Sequence, residues 1–242
     1  MQKLNKDFLD KAFSEINICL NEDQKNAFVA YFDHMISENE KKNLTRITEP
    51  NNVVLKHYID SVMLLKYFDF EDNHDLKIVD LGAGAGFPSI PLKICLPNTE
   101  MKMIDSINKK VVFLEDTIEM LGLKNAEAIC ARAEDILKEE NFRENFDLCV
   151  SRAVANLSTL SEYCIPFVKL GGWFVAYKAD ANSDEIEEAK NAIEILGGRL
   201  DRIESYFLPG TDEKRCLVFI EKIKNTESRY PRRAGIPLKR PL

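Results

Sequence analysis

Asp80-Leu81-Gly82-Ala83-Gly84-Ala85-Gly86-Phe87-Pro88 is the stretch on which the fold turns. It follows a short apolar run at 77–81 and precedes a helical pattern near 90–95. Glycines there let the backbone take φ > 0 and approach a ligand closely. In a doubly wound sheet, ligands lie beyond the carboxyl ends of the strands, where this loop falls. A dinucleotide site prefers G-x-G-x-x-G, with the pyrophosphate on a helix N-terminus. Here the glycines run G-x-G-x-G, and Phe87 stands where the third dinucleotide glycine belongs. Pro88 and Pro91 also remove amide donors that a phosphate could use. Asp80, just ahead of the loop, suits a cationic ligand better than a pyrophosphate.

Outward from the loop, short apolar runs alternate with amphipathic helices. Strands are expected at 77–81, 101–105, 126–130, 146–151 and 172–178, with helices at 90–95, 108–121, 134–139 and 157–167. Such alternation implies right-handed crossovers and a mostly parallel sheet. A helix at 184–196 and strands at 202–207 and 215–221 follow. The link 208–214 is too short for a helical crossover, so the last two strands should be antiparallel. Before the loop, Leu4, Phe8, Leu9, Ala12, Phe13 and Ile16 recur at helical spacing, and further helices fit 22–36 and 53–68. The polar run Glu71-Asp72-Asn73-His74-Asp75 marks a boundary. Three parts are therefore expected: a helical extension over 1–70, a sheet domain over 71–224 and a basic tail over 225–242.

Two further acids fit a nucleoside ligand. Asp105 ends the second strand and can accept hydrogen bonds from ribose hydroxyls. Arg132-Ala133-Glu134 follows the third strand. With the glycine spacing, these features resemble class I methyltransferases, whose cofactor S-adenosyl-L-methionine carries a sulfonium and an amino group. The resemblance implies an α/β, Rossmann-like, seven-stranded and mostly parallel sheet with a final antiparallel strand. A nicotinamide-dependent oxidoreductase is the alternative from another class, but it lacks its glycine spacing here and any evident hydride-transfer acid or base. A cofactor-less RNA-binding module would have no use for the glycine loop and Asp105 together.

Composition narrows the partners. The chain of 242 residues carries a net charge of −7, unevenly placed. From Lys222 to Leu242 there are seven Lys/Arg and one acid, whereas the rest holds 26 basic and 39 acidic residues. An acidic body with a basic tail permits local phosphate contacts that the average hides. No apolar run approaches the ~20 residues of a membrane span, and no signal-peptide core follows Met1, so a cytoplasmic protein is expected. The six cysteines show no metal-ligand spacing and read as reduced thiols; no metal is expected.

The chemistry should sit at the end of the fourth strand, Ser151-Arg152-Ala153. The Asn/Asp-Pro-Pro-aromatic signature of exocyclic amine methylation is missing there, as is a Pro-Cys pair for a cysteine nucleophile. An acceptor that needs no base, such as guanine N7, fits, with catalysis mainly by positioning. A small-molecule methyltransferase remains the other enzyme reading.

Asn43-Leu44-Thr45, His57-Tyr58-Ile59-Asp60-Ser61, Asp80 through Pro91, Asp105-Ser106, Arg132-Ala133-Glu134, Ser151-Arg152-Ala153 and the tail from Tyr230-Pro231-Arg232-Arg233 to Leu242 resemble one family almost end to end. It is the bacterial glucose-inhibited division protein B family, the small-subunit ribosomal RNA methyltransferase G enzymes. Ser89 and Ala234 depart from it, where glycine and proline are usual. The resemblance implies N7 methylation of a guanine (the guanine 527 class) in the 530 loop of 16S rRNA. The partner would be 16S rRNA or the small ribosomal subunit, bound by a monomer. It also implies that Gly82, Phe87, Ala133, Glu134 and Arg152 contact the cofactor, with Asp105 on the ribose; Asp80, Gly84, Gly86 and Ser106 complete the expected set. Arg46, Arg232, Arg233, Lys239 and Arg240 are the RNA-binding candidates, although the tail could instead pack back on the acidic body. Asn43-Leu44-Thr45-Arg46 fits either a helix cap or an RNA contact, and His57 is more readily a packed side chain than a catalyst.

Overall fold

The computed structural model describes residues 3–70, 76–152, 155–179 and 183–242. The boundary at 71–75 and Ala153 of the Ser151-Arg152-Ala153 motif lie outside the described residues.

Seven strands form one sheet: β1 Lys77–Leu81, β2 Glu100–Asp105, β3 Ala126–Cys130, β4 Phe146–Arg152, β5 Val168–Lys178, β6 Gly198–Phe207 and β7 Lys214–Lys222. Their order is β3-β2-β1-β4-β5-β7-β6. The first five are parallel, and β7 runs antiparallel between β5 and β6. The order reverses at β1, so the glycine loop leaves the sheet at the switch point where α/β ligands bind.

Alternation along the strands sorts side chains onto two faces. Ile78, Met101, Met103, Leu148, Val150, Val175, Leu217 and Phe219 join a core that also contains Phe13, Phe28, Tyr31, Phe32 and Met35. Val79, Ile104, Cys149, Phe174, Ala176 and Val218 face the other core, with Leu157, Leu160 and Ile193. The helical segment over 3–70 thus shares a continuous core with the sheet. Helix α1, Lys6–Glu15, is capped by Asn5, and α2, Glu22–Lys42, starts in a capping box of Asn21 and Gln24. In α2, Phe28, Tyr31, Phe32 and Met35 recur at i, i+3, i+4 and i+7 and are all buried.

One helix departs from expectation. The single helix anticipated over 53–68 is broken into α3 Pro50–Val53, a π-helical turn Val54–Ile59, α4 Asp60–Val62 and α5 Leu64–Tyr67. Wide turns of this kind recur at functional sites. Here His57 and Asp60, on the turn and just after it, both meet the same residue, Arg152.

The remaining helices are α6 Ser89–Cys95, α7 Asn108–Leu121, α8 Ala133–Ile136, α9 Leu157–Cys164, α10 Ser183–Ile195 and α11 Ile236–Lys239. No helix among the described residues is long and apolar enough to cross a membrane.

Candidate functional site

The loop after β1 is held by its own backbone and by one carboxylate. Gly82, Gly84 and Gly86 have φ of +78°, +61° and +91°, a region that L side chains rarely adopt. The amides of Gly82 and Ala83 donate to Ile104 O at 2.8 and 3.1 Å. Asp105 Oδ2 accepts from Gly84 N–H at 2.9 Å, and its Oδ1 accepts from Ile107 N–H, also at 2.9 Å. Each oxygen keeps lone-pair capacity after one bond. The Asp105 carboxylate therefore both pins the loop and can still receive hydroxyl donors. Lys110 Nζ lies 3.6 Å from Asp105 Oδ2.

Beside this loop lies a cavity of about 580 Å³, lined by Leu81, Gly82, Ile104, Asp105, Ser106, Ile107, Lys110, Ala131, Arg132, Ala133, Glu134, Arg152, Tyr163, Gly235 and Leu238. Of the residues expected from sequence, Gly82, Asp105, Ser106, Ala133, Glu134 and Arg152 come together on it. Lys110, Tyr163, Gly235 and Leu238 were not anticipated, since nothing local in the chain marks them. The donor set fits S-adenosylmethionine: apolar walls for a purine, two carboxylates for hydroxyl and amino donors, and a glycine loop for close backbone approach.

The other expected residues brace the loop from behind. Phe87 is buried, stacks on His57 with ring centroids 4.3 Å apart, and meets Tyr31 at 5.5 Å. Gly86 is packed so tightly that a Cβ would overlap Ile90 and sit 2.9 Å from Tyr31 Oη. Asp80 is fully buried, and its Oδ2 accepts from Ser89 N–H at 3.3 Å, while Oδ1 has no partner among the described residues. Burial pushes the Asp80 carboxyl up to about 7 despite the opposing pull of Ser89 and Arg152.

Arg152 stands where two cavities meet. Its Nη1 donates to Asp60 Oδ2 at 3.0 Å and to Lys56 O at 3.2 Å, and the guanidinium lies 5.0 Å from the Phe87 ring. Its Nη2 lies 3.3 Å from His57 Nδ1, and His57 Nε2 lies 2.9 Å from Thr45 Oγ1. Nδ1 also lies 3.1 Å from Lys56 O, so it faces a guanidinium that can only donate and a carbonyl that can only accept, and these two neighbours call for opposite tautomers of the ring. Burial, and then Arg152, lower the His57 pKa to about 3, which keeps the ring neutral at physiological pH.

Asn43-Leu44-Thr45 belongs to the same arrangement. Asn43 closes α2 in the left-handed conformation, and Asn39 Oδ1 accepts from the amides of Leu44 and Thr45 at 2.8 and 2.9 Å. Asn39 is thus the side chain that caps this segment, and Arg46 is exposed beside it.

The second cavity, of about 620 Å³, is lined by Ile47, Lys56, His57, Asp60, Arg152, Ala155, Tyr177, Lys178, Ala179, Glu185 and Arg215. Four cations face two acids there, on a chain that is acidic overall. Both acids are engaged: Asp60 by Arg152 and by Tyr206 Oη at 2.8 Å, Glu185 by Lys178 at 2.6 Å and the Leu157 amide at 2.8 Å. Of the tail candidates, Arg232 is committed to Glu162, with Nη2 2.5 Å from Oε2 and Nε 2.9 Å from Oε1. Arg233, Lys239 and Arg240 are exposed. No group of three or more His, Cys, Asp or Glu among the described residues could hold a metal ion.

Comparison with known proteins agrees with this geometry. Residues 24–214 match the model of a family described as rRNA small subunit methyltransferase G. A ribosomal RNA small subunit methyltransferase G of Lactobacillus johnsonii is 44% identical over 99% of this chain and 100% of its own length. Those of Lactobacillus helveticus and Clostridium tetani are 47% and 45% identical, covering 95% and 98% of both chains. Among solved structures, M. jannaschii TYW2 in complex with AdoMet superposes with a TM-score of 0.52 at 19% identity, over 68% of this chain and 77% of that one. A SAM-dependent methyltransferase of Aquifex aeolicus gives 0.52 at 18%, over 72% and 94%. These two likenesses concern the fold alone.

Proposed function

This chain belongs to the rRNA small subunit methyltransferase G family, and from that premise we propose that it transfers a methyl group from S-adenosylmethionine to N7 of a guanine in the 530 loop of 16S rRNA. The observation that carries the reading is the pair of cavities sharing Arg152 as a wall, one built for a nucleoside and the other rich in cations. S-adenosylmethionine, when bound, supplies an electrophilic methyl group on a positively charged sulfur.

The protein's part is to hold and to orient. Asp105 and Glu134 would receive the cofactor's hydroxyl and amino donors, and the glycine loop would lie against it. Lys56 and Arg215 pair with Glu213, and Lys178 with Glu185, so the attraction of the second cavity for a polyanion rests on its excess of four cations over two lining acids. Arg152, fixed by Asp60, the Lys56 carbonyl and neutral His57, presents a planar donor at the junction, a geometry that suits the O6 of a guanine. The two acids of the second cavity are engaged and His57 is neutral with both ring nitrogens occupied. That set offers no uncommitted base, which agrees with an acceptor whose lone pair attacks without losing a proton. The rate would come from alignment. Both cavities are built within one chain, so a monomer suffices, working in the cytoplasm where ribosomes assemble.

Nucleoside mass spectrometry of 16S rRNA from cells with and without the gene tests the substrate and separates it from a small-molecule acceptor. 7-Methylguanosine should be present in the first sample and missing from the second. Borohydride and aniline should cut the modified RNA at one guanine of the 530 loop; a methyl found on an exocyclic amine or ribose would reject the N7 assignment.

A further inference from the structure

The C-terminal tail is fastened to the protein by an unusual density of bonds, and its free part ends up on the cofactor cavity. Arg143 donates to three tail carbonyls: Tyr230 at 2.9 Å, Thr226 at 2.8 Å and Glu227 at 3.1 Å. Glu162, on α9, has no solvent exposure. Its Oε1 accepts from the Arg232 amide at 2.7 Å, and both its oxygens receive the guanidinium. The same guanidinium donates from Nη2 to Arg240 O at 2.8 Å, closing residues 232–240 into a loop. Thr159 Oγ1 donates to Pro237 O and Ser158 Oγ to Leu242 O, each at 3.1 Å. A buried carboxylate without a partner would be costly, so this loop is held in place.

Gly235 and Leu238, within that loop, line the 580 Å³ cavity. Leu238 is nevertheless 62% exposed. A leucine held out to solvent at a cavity wall gains burial only when something apolar occupies the cavity. Tyr163, on the helix that anchors the tail, lines the same cavity. Gly235 has φ +80° with no atom within 4 Å of a built Cβ, so the turn of the backbone demands glycine there and crowding does not. The tail lies beyond residues 24–214 matched by the family model but within the match to the Lactobacillus johnsonii relative, which spans 99% of this chain.

We propose that the tail is a working wall of the cofactor site: Leu238 covers the apolar part of bound S-adenosylmethionine, and the Glu162–Arg232 pair is the positioning device that places it there. The proposal rests on the cofactor reading given above. Leu238 touches the ligand; Glu162 and Arg232 act through the tail.

Calorimetric titration with S-adenosylhomocysteine tests it on the full chain, on Leu238→Ser, on Leu238→Met and on a chain ending at Arg233. Leu238→Ser should weaken binding about tenfold, in proportion to the apolar area it no longer covers. Leu238→Met should restore most of it, and the shortened chain should bind at least as weakly as Leu238→Ser. The ligand-free melting temperature of Leu238→Ser should match that of the full chain, because the side chain is exposed before binding. In turnover assays the KM for S-adenosylmethionine should rise with kcat unchanged, the sign of lost uniform binding. Wild-type affinity in both Leu238→Ser and the shortened chain, with Asp105→Ala still weakened, would overturn the tail's role and leave the cofactor site standing. A full chain that binds no S-adenosylhomocysteine would overturn both.

Discussion

Arg152 Nη1 lies 3.0 Å from Asp60 Oδ2, and this pair joins the end of β4 to the helical layer formed by the first part of the chain. Their side chains are 13% and 7% exposed, so neither charge is well solvated without the other. The N-terminal helices thereby take part in the site and do not merely cover the sheet. Asp60→Asn should loosen the guanidinium at the junction of the two cavities. Turnover should fall by about 100-fold, the cost of a misplacement near 1 Å, while affinity for S-adenosylhomocysteine stays within about threefold. Equal losses in both would place Arg152 wholly in the cofactor site.

Gly84 and Gly86 should fail in different ways. A Cβ on Gly86 would overlap Ile90 and crowd Tyr31 and Leu114, so Gly86→Ala should destabilise the fold by about 1–3 kcal/mol from overpacking, in addition to the strain of a side chain at φ +91°. A Cβ on Gly84 meets nothing nearer than Gly82 O at 3.8 Å, and its cost is the left-handed backbone, about 1–2 kcal/mol. Gly84→Val should therefore remain folded and lose ligand binding. Thermal melts and calorimetry on the two variants separate these outcomes; unaltered affinity in Gly84→Val would sink the loop assignment.

Acid titration should reveal Asp80. Its folded-state pKa, near 7, is above the ordinary carboxyl value of 3.8, so the native state holds this proton more tightly than the unfolded chain does. The resulting stability is fully present below pH 4 and is lost as pH rises from 4 through 7. His57 acts in the opposite sense. With its pKa lowered to about 3, its contribution is present above 6.5 and is lost as pH falls through 3. The two slopes oppose each other between 4 and 6.5, so the wild-type curve alone hides them. Asp80→Asn should remove the falling component and be more stable than wild type at pH 8 by chemical denaturation. A variant less stable at pH 8 would show that the carboxylate is charged and paired in solution.

Salt dependence should distinguish the exposed basic residues from Arg232, which is tied to a buried carboxylate. Alanine at Arg233, Lys239 and Arg240 together should flatten the slope of log RNA affinity against log salt by up to about two to three units, with little change in melting temperature. Arg232→Ala should instead lower the melting temperature, because it strands the carboxylate of Glu162. If the triple variant leaves the slope untouched, the RNA surface lies elsewhere, first around Lys41, Lys42 and Arg46.

What could be read from the chain was what is encoded locally. The glycine loop is a run of adjacent residues, and Asp105 and Glu134 follow at strand ends, where spacing alone places them. The short 208–214 link announced the antiparallel pair β6 and β7. The first half of β6 was not legible because register shifts between Leu200 and Arg202, breaking the alternation. The start of β5 was obscured by its exposed Lys169-Leu170-Gly171. The π-helical turn was hidden because Val54, Tyr58, Ile59 and Val62 suit an unbroken helix equally well. The ties that complete the site span the chain: Arg152 to Asp60 across 92 residues, Arg232 to Glu162 across 70. Nothing in a local window marks such partners.

The slot occupied by β7 has a consequence for synthesis. Residues 173–178 of β5 pair with β7, and β6 pairs with nothing else in the sheet. While the ribosome is still translating residues 214–222, a nascent chain folded as far as β5 presents an apolar strand edge with its amides and carbonyls unsatisfied. Such an edge invites pairing with another chain. Premature stops between Lys178 and Lys214 should therefore yield aggregates instead of shorter folded proteins.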